Sequence, residues 1–287
     1  MQHIMIVHDI IPKVFPEYLN NSRKKIYQRG IEKAIRNADH IVAVSRYTAH
    51  DILEIVKVDS KKISIAYPDT DPIFRKHIHE MEAQRVLDAY SLLPGYLYSG
   101  GGLEKRKNTE TVIRAYALLI DDYTKQNVLA SLPKLVISGK LMPELSPLIV
   151  DVEKLVKSLR IEKHVHILGF VPQEHLPALY SQASAFLFPS LYEGFGLPVL
   201  EAMHQGVPVI TSQRTSIPEI GKDAVAYCDP EDAHDMMRVI KEVLTDAELR
   251  ARLSVDGKRR AQHFSWHIFV REVMHCVRLV KGMGMKD

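Results

Sequence analysis

The chain has 287 residues, of which 46% are hydrophobic and 25% are charged, a composition typical of a soluble globular protein large enough for two domains. Its formal net charge of +3 is small for this length, which argues against nucleic-acid binding. The sequence has no apolar stretch long enough to cross a bilayer and no signal-peptide pattern, and its two cysteines, Cys228 and Cys276, are too few for a disulfide framework.

The N-terminal part of the chain alternates predicted strands and helices. A short apolar strand over residues 3–7 leads to His8, Asp9 and a loop broken by prolines. The next elements are predicted as helices over residues 22–36 and 47–56 and strands over residues 40–44 and 62–66. A histidine at a strand end is usually a local hydrogen-bonding residue. The residue pattern alone therefore allows two interpretations of His8, a local hydrogen-bonding role and a catalytic role.

A glycine-rich loop follows a predicted connection over residues 69–75 and a predicted helix over residues 78–90. The pattern predicts a strand at residues 96–98 before the glycines and a helix from residue 108 after them. Glycines let backbone amides approach a ligand, and cations neutralise the charge on a leaving diphosphate. Gly101, Gly102, Arg106 and Lys107 are therefore candidate diphosphate ligands, and a plain turn with exposed lysines is the alternative.

The most informative stretch is FLFPSLYEGFGLPVLEAMHQGVPVITS, residues 186–212. An apolar strand over residues 185–188, a loop with two glycines, a helix over residues 197–204 and a strand over residues 207–210 form the repeating unit of a parallel α/β sheet. Glu193 lies in the loop and Glu201 in the helix, where a carboxylate can accept two hydrogen bonds from the vicinal hydroxyls of a ribose. The alternative is that both glutamates are solvated surface charges.

The elements before and after this stretch continue the same alternation. We predict strands over residues 134–138, 165–168 and 224–228, a helix over residues 147–159, a loop over residues 214–220, and helices over residues 231–244, 247–263 and 266–280. The last helix has an apolar packing face.

The run EGFGLPVLEAMHQGVPVITS, followed by SIPEI and CDPED, resembles the nucleotide-sugar site of the retaining glycosyltransferases of family 4, the glycosyl transferases group 1, which have the GT-B fold. The resemblance implies that the first glutamate and the amides after it hold the donor sugar and phosphates, and that the second glutamate holds the ribose. The matching residues are Glu193, Gly194, Phe195, Gly196, Leu197 and Glu201.

Other segments extend the resemblance. HDIIPKVFPEYL is similar to part of the acceptor-binding domain of mannosyl- and related transferases of this family, which implies an active-site position for His8 and a neighbouring one for Asp9. The resemblance thus makes His8 and Glu193 the candidate catalytic residues. RKN matches the family's diphosphate ligands at Arg106 and Lys107, although Gly102 stands where the family commonly has arginine. The resemblance also implies that Gly169, Phe170 and Val171 hold the nucleotide base, while a core position is the alternative for Phe170.

The resemblance implies an α/β, GT-B-like protein with a Rossmann-like parallel-sheet C-terminal domain and a truncated Rossmann-like N-terminal domain. We expect a partial acceptor-side domain over residues 1–75, a linker helix over residues 76–93 and the nucleotide-sugar domain over residues 94–265. The helix over residues 266–287 then either crosses back to the first domain or packs only on its own domain. Several strand and helix units usual in the family before His8 are missing, so an uncovered sheet edge would favour a partner chain or oligomer.

The implied function is retaining, metal-independent transfer of a hexose, with mannose and GDP-mannose favoured, to a saccharide or lipid-linked saccharide during lipopolysaccharide or surface-polysaccharide synthesis. No cofactor is expected. A non-catalytic nucleotide-sugar-binding subunit and a GT-B nucleotide-sugar epimerase remain as alternatives. We expect a cytoplasmic location, and basic clusters such as residues 23–25 leave peripheral contact with the inner face of the membrane open.

Overall fold

The computed structural model describes residues 2–283. These residues form two compact units. The first unit contains residues 2–69, 192–196 and 263–283, and the second contains Thr70–Leu191 and Leu197–Gln262. None of the helices in the described part of the chain is long and apolar enough to span a membrane.

Strands and helices alternate through both units, as the sequence predicts. The strands are β1 (Ile4–Val7), β2 (His40–Ala43), β3 (Ile63–Ile65), β4 (Tyr96–Ser99), β5 (Leu135–Ser138), β6 (Val165–Gly169), β7 (Ala183–Phe188), β8 (Val209–Ser212) and β9 (Ala226–Cys228). The α-helices are α1 (Ile11–Val14), α2 (Ser22–Asn37), α3 (Arg46–Asp51), α4 (Glu80–Ala89), α5 (Thr109–Lys125), α6 (Val152–Ser158), α7 (Leu176–Ser181), α8 (Leu197–Gln205), α9 (Ile217–Gly221), α10 (Ala233–Thr245), α11 (Ala247–Ala261) and α12 (Trp266–Met283).

The first unit is built on a parallel sheet with the strand order β1-β2-β3. Side chains alternate between the two faces of a strand, so Ile41 and Ala43 in β2 pack with the helices α2 and α3 on one face. Val42 points to the other face, where it packs with Phe269 and Cys276 of α12. The last helix of the chain therefore completes the core of the unit that the first residues begin.

The second unit is built on a six-stranded parallel sheet with the order β6-β5-β4-β7-β8-β9. The chain runs outward from β4 through β5 and β6, and then returns to the other side of β4 to place β7. Ligands of open parallel sheets bind at such a reversal, outside the carboxyl ends of the two strands. The loops after β4 and β7 are therefore where a ligand is expected in this unit.

Several predicted boundaries are wrong. The helix predicted over residues 147–159 begins only at Val152, because the Asp151 side chain caps it by accepting a hydrogen bond from the Lys154 amide at 3.0 Å. Residues before the cap are held elsewhere: the Val150 amide donates to the Leu103 carbonyl at 2.9 Å. The loop predicted over residues 214–220 contains most of α9, and α1 and α7 lie in segments without a predicted helix.

Candidate functional site

The loop after β4 contains two glycines, Gly101 and Gly102, in a backbone conformation that other residues rarely adopt. Gly101 has φ of 92°, and a Cβ there would lie 2.9 Å from Cγ of Pro198, at the start of α8, and 3.1 Å from Cε2 of Phe188 in β7. Gly102 has φ of 116°, and its Cβ would meet the Glu104 carboxylate at 2.5 Å. The backbone of this loop is thereby packed against the segments that leave β7 and enter α8.

Arg106 and Lys107 lie in a short 3-10 helix just after the glycines. Lys107 is buried, with 8% of its surface exposed, and its Nζ lies 5.2 Å from the centroid of the Phe188 ring, a cation-π distance. The Arg106 guanidinium lies 3.7 Å from the Glu104 carboxylate. The Arg106 carbonyl accepts a hydrogen bond from the Leu191 amide at 2.7 Å, which ties the loop after β4 to the loop after β7.

Glu201 lies in α8, where its Oε2 accepts a hydrogen bond from the Tyr180 hydroxyl at 3.0 Å. Burial raises the pKa of the Glu201 carboxyl to about 7, while the Tyr180 hydrogen bond and the charge of Lys107 act in the opposite direction and Asp71 adds to the rise. A carboxyl with this pKa takes up or loses its proton close to neutral pH. It can accept hydrogen bonds from paired hydroxyls when it is ionised.

Asn108 is a residue of this loop region that the sequence analysis missed. Its φ of 63° places it in the left-handed region, and its side-chain amide donates to the carbonyls of Pro189 at 3.1 Å and Pro230 at 2.6 Å. Asn108 thus fixes the start of α5 to the loops that follow β7 and β9. Because asparagine tolerates the left-handed region, an asparagine just before a predicted helix was the one feature of the sequence that could have indicated this role.

The segment predicted to hold a nucleotide base has mixed exposure. Gly169 ends β6 with φ of 68°, Phe170 is 71% exposed, and Val171 is buried. A core position for Phe170, the alternative considered from the sequence, is therefore wrong. Leu197, the first residue of α8, is 39% exposed.

In the first unit, the structure brings His8 together with the glycine segment 192–196. The Gly194 backbone lies so close to the His8 carbonyl that an added Cβ would overlap its oxygen. The Gly194 carbonyl accepts hydrogen bonds from Ser45 Oγ at 2.6 Å and Thr48 Oγ1 at 3.0 Å, both at the start of α3. The His8 side chain is exposed.

The neighbours of Gly194 are also held within the first unit. The Tyr192 hydroxyl donates to the Asp51 carboxylate, and the Phe195 ring lies 5.7 Å from the ring of Phe264. Glu193 is buried, with 7% of its surface exposed, which excludes the interpretation that it is a solvated surface charge. Gly196 has φ of 115°, a conformation that favours glycine.

The chain is similar to known proteins over most of its length. The family model described as "Glycosyl transferases group 1" matches residues 94–260, more than half of the chain. The chain belongs to the glycosyl transferases group 1 family. A second model, "Glycosyltransferase Family 4", matches residues 1–72 of this glycosyltransferase. The resemblance stated from the motifs is confirmed.

The relatives and solved structures agree with this assignment. The O-antigen chain mannosyltransferase B of Escherichia coli is 32% identical over 95% of this chain and 69% of its own length. The serotype-specific mannosyltransferase WbdA of Escherichia coli is 30% identical over 92% of this chain, which spans only 32% of that relative. The crystal structure of HepE from Anabaena in complex with UDP and glucose has a TM-score of 0.79, at 16% identity, over 96% of this chain and 71% of that one. The GT-B fold class is confirmed.

Proposed function

We propose that this glycosyltransferase moves a hexose, mannose or a related sugar, from a nucleoside diphosphate donor such as GDP-mannose to a hydroxyl of a saccharide or lipid-linked saccharide. The observation that carries the proposal is the Glu201 carboxyl, held by Tyr180 within electrostatic reach of the buried Lys107. The similarity to the O-antigen chain mannosyltransferase B of Escherichia coli supports the choice of sugar and a place in lipopolysaccharide or surface-polysaccharide synthesis.

In the second unit we assign the donor's nucleotide. Glu201 would accept hydrogen bonds from the ribose hydroxyls, and Arg106 and Lys107 would bind the diphosphate. The backbone amides of the glycine loop and of the first turn of α8 would add donors for phosphate oxygens. The residues assigned to the phosphates through these amides are Gly101, Gly102 and Leu197, and those assigned to the base are Gly169, Phe170 and Val171.

In the first unit we assign the sugar and the acceptor. Glu193 and the amides of Gly194, Phe195 and Gly196 would hold the donor sugar. His8, whose carbonyl is packed on Gly194, would position the sugar or the acceptor hydroxyl. The strand β1 forms one edge of its described sheet, which favours the expectation that a partner chain pairs there.

The reaction we propose retains the configuration of the anomeric carbon. The bond from this carbon to the leaving phosphate oxygen breaks with its electron pair going to the diphosphate, and the acceptor oxygen bonds to the same face. The acceptor proton passes to a phosphate oxygen, so no side chain acts as a nucleophile. Arg106 and Lys107 would stabilise the negative charge of the leaving group, which is why we propose that no metal or cofactor is needed.

Calorimetric titration with GDP-mannose, UDP-glucose, UDP-N-acetylglucosamine and dTDP-rhamnose tests the donor assignment. We expect one donor to bind, and Glu201→Ala to abolish that binding because the ribose hydroxyls lose their acceptor. Glu248→Ala, which removes an exposed glutamate on α11, is the matched control and should bind normally. If a folded chain binds none of the four donors, the donor assignment is wrong.

Product analysis tests the reaction. Release of nucleoside diphosphate only in the presence of an acceptor, with a retained anomeric linkage, supports transfer. Conversion of the donor into another nucleotide sugar without acceptor would instead support an epimerase. Donor binding without transfer, with activity restored by a second chain, would support a non-catalytic binding subunit.

A further inference from the structure

The connecting segment, defined as residues 71–90, lies between β3 and β4 in the chain and contributes no strand to either sheet. It contains a 3-10 helix, Pro72–Arg75, and the helix α4. The Asp71 side chain caps the 3-10 helix by accepting a hydrogen bond from the Ile73 amide at 2.9 Å, and Phe74 is buried, with 1% of its surface exposed. The connecting segment is therefore an ordered part of the second unit.

Two hydrogen bonds join the connecting segment to a second 3-10 helix, Gln173–His175, which lies just after the residues assigned to the nucleotide base. The Gln173 side-chain amide donates to Asp71 Oδ2 at 3.4 Å. The Tyr90 hydroxyl and Nδ1 of His175 share a hydrogen bond of 2.9 Å, and the two rings lie 5.7 Å apart, edge to face. Both ends of the connecting segment thus contact the chain that follows the base residues.

The connecting segment also contacts the surroundings of Glu201. The Phe74 ring lies 6.0 Å from the ring of Tyr180, whose hydroxyl donates to Glu201. Gln205 lies one helical turn after Glu201 in α8, and its side-chain amide donates to the carbonyls of Phe74 at 2.6 Å and Lys76 at 3.2 Å. Both the side chain that orients Glu201 and the helix that carries it therefore contact the connecting segment.

Apolar packing attaches the connecting segment to the second unit without these polar contacts, because α4 buries Ala83, Val86 and Leu87. The hydrogen bonds described above end instead on the residues after the base segment and on α8. These are the parts of the chain that adjoin or carry the residues assigned to the base and the ribose. Tying such parts to one ordered segment reduces their freedom before a ligand binds, which lowers the entropic cost of binding.

We propose that the connecting segment positions the residues that bind the nucleoside of the donor, with Tyr90 and Gln205 as positioning residues. The inference rests on the proposed function, which assigns the ribose to Glu201 and the base to residues 169–171. Tyr90 acts through the base segment, and Gln205 acts through α8. The diphosphate is assigned to side chains of the loop after β4, so the connecting segment should affect binding of the nucleoside and leave binding of the diphosphate unchanged.

Calorimetry with GDP and with inorganic pyrophosphate tests the proposal, because only GDP carries a nucleoside. UDP or dTDP replaces GDP if the titration with the four donors selects it. We expect Tyr90→Phe and Gln205→Met each to weaken GDP binding about fivefold, the effect of one lost hydrogen bond, and to leave pyrophosphate binding unchanged. The matched control is Tyr116→Phe, which removes a hydroxyl of the same unit that donates to the carbonyls of Pro133 at 2.9 Å and His164 at 3.2 Å. It should bind both ligands like the wild type.

Amide hydrogen exchange gives a second readout that a purely structural role would not change. Coupling between two sites is reciprocal, so GDP should slow exchange in residues 73–76, although none of them is assigned to the nucleotide. This protection should be lost in Gln205→Met. The 3-10 helix Leu129–Ser131 of the same unit is the internal control, and its exchange should not respond to GDP.

Three results would overturn the inference while the donor assignment stands. These are GDP binding that is unchanged in both variants, equal losses of GDP and pyrophosphate binding, and an equal loss of GDP binding in Tyr116→Phe. A folded wild-type chain that binds pyrophosphate but none of the nucleotides would instead refute the nucleoside assignment, and this inference with it.

Discussion

The Tyr180 hydroxyl donates a hydrogen bond to Glu201 Oε2 at 3.0 Å. Tyr180 is itself fixed, because its ring is buried at 4.9 Å from the ring of Phe186 and 5.3 Å from the ring of Tyr98. The hydroxyl therefore holds one oxygen of the carboxyl in a set orientation and leaves the other oxygen for a ligand. On this basis Tyr180 is a positioning residue for Glu201.

We expect Tyr180→Phe to weaken donor binding about tenfold. A hydrogen bond to a charged group contributes about 1.5–3 kcal/mol, and without it part of the binding free energy would be spent on orienting the Glu201 carboxylate. The loss should occur with the ribonucleoside diphosphate and disappear with its 2′,3′-dideoxy analogue. Tyr96→Phe, which removes another buried hydroxyl of the second unit, is the control. Equal losses with both nucleotides would show that Tyr180 has only a structural role.

We expect the stability of the second unit to fall as pH rises. An unfolded glutamate loses its proton near the ordinary pKa of 4.5, whereas Glu201 in the folded chain keeps it to about pH 7. The folded state thus binds more protons between these values, and the free energy of unfolding should decrease across that window by about 3 kcal/mol. Urea unfolding at several pH values measures this slope.

The variant Glu201→Gln tests the origin of that slope, because glutamine has the shape of the protonated acid and does not titrate. Its unfolding free energy should change less between pH 4.5 and pH 7 than that of the wild type. Glu248→Gln, on an exposed surface, should keep the wild-type slope. Parallel pH profiles for all three proteins would contradict the prediction.

We expect Lys107→Gln to weaken binding of a nucleoside diphosphate by about tenfold or more, since a buried charge-assisted contact to phosphate is removed. Binding of the corresponding nucleoside should change little. The pKa of Glu201 should also rise further, because the charge of Lys107 lowers it. Lys105→Gln removes an exposed lysine two residues away and serves as the control in calorimetry; if it has the same effect, a specific role for Lys107 is excluded.

We expect Gly101→Ala to destabilise the second unit by about 1–3 kcal/mol, because alanine is strained at its φ of 92° and the added Cβ would press on Pro198 and Phe188. Gly30→Ala is an instructive comparison. Gly30 lies inside α2 with nothing within 4 Å of the added Cβ, so this change should stabilise the first unit by about 0.5–1 kcal/mol. Thermal unfolding of the two variants should give shifts of opposite sign.

The fold class could be predicted from the sequence because its signals are local. Apolar runs such as residues 185–188, each followed by a glycine or proline and then a helical pattern, indicate parallel α/β units without knowledge of distant contacts. The candidate residues Glu193, Glu201, Arg106 and Lys107 came from motif order. The motifs did not indicate how deeply these side chains are buried or which groups they contact.

The interactions that the sequence could not predict join residues far apart in the chain. Nothing near Tyr180 indicates that its hydroxyl meets Glu201, and nothing near Asn108 indicates that its amide reaches Pro230. Helix boundaries failed in a similar way: the Asp151 cap marks where the helix begins, but the hydrogen bond from the Val150 amide to the Leu103 carbonyl joins residues far apart in the chain. Tertiary contacts decide such cases.

The first unit is assembled from three stretches of chain, and this has a consequence for how the protein is made. Residues 2–69 leave the ribosome before the second unit, but the face of their sheet that carries Val42 is covered by Phe269 and Cys276, which emerge only after the whole second unit has been synthesised. During most of translation that face is open to unwanted association. Chaperone dependence during synthesis should therefore centre on the early strands, and it should end when α12 has left the ribosome.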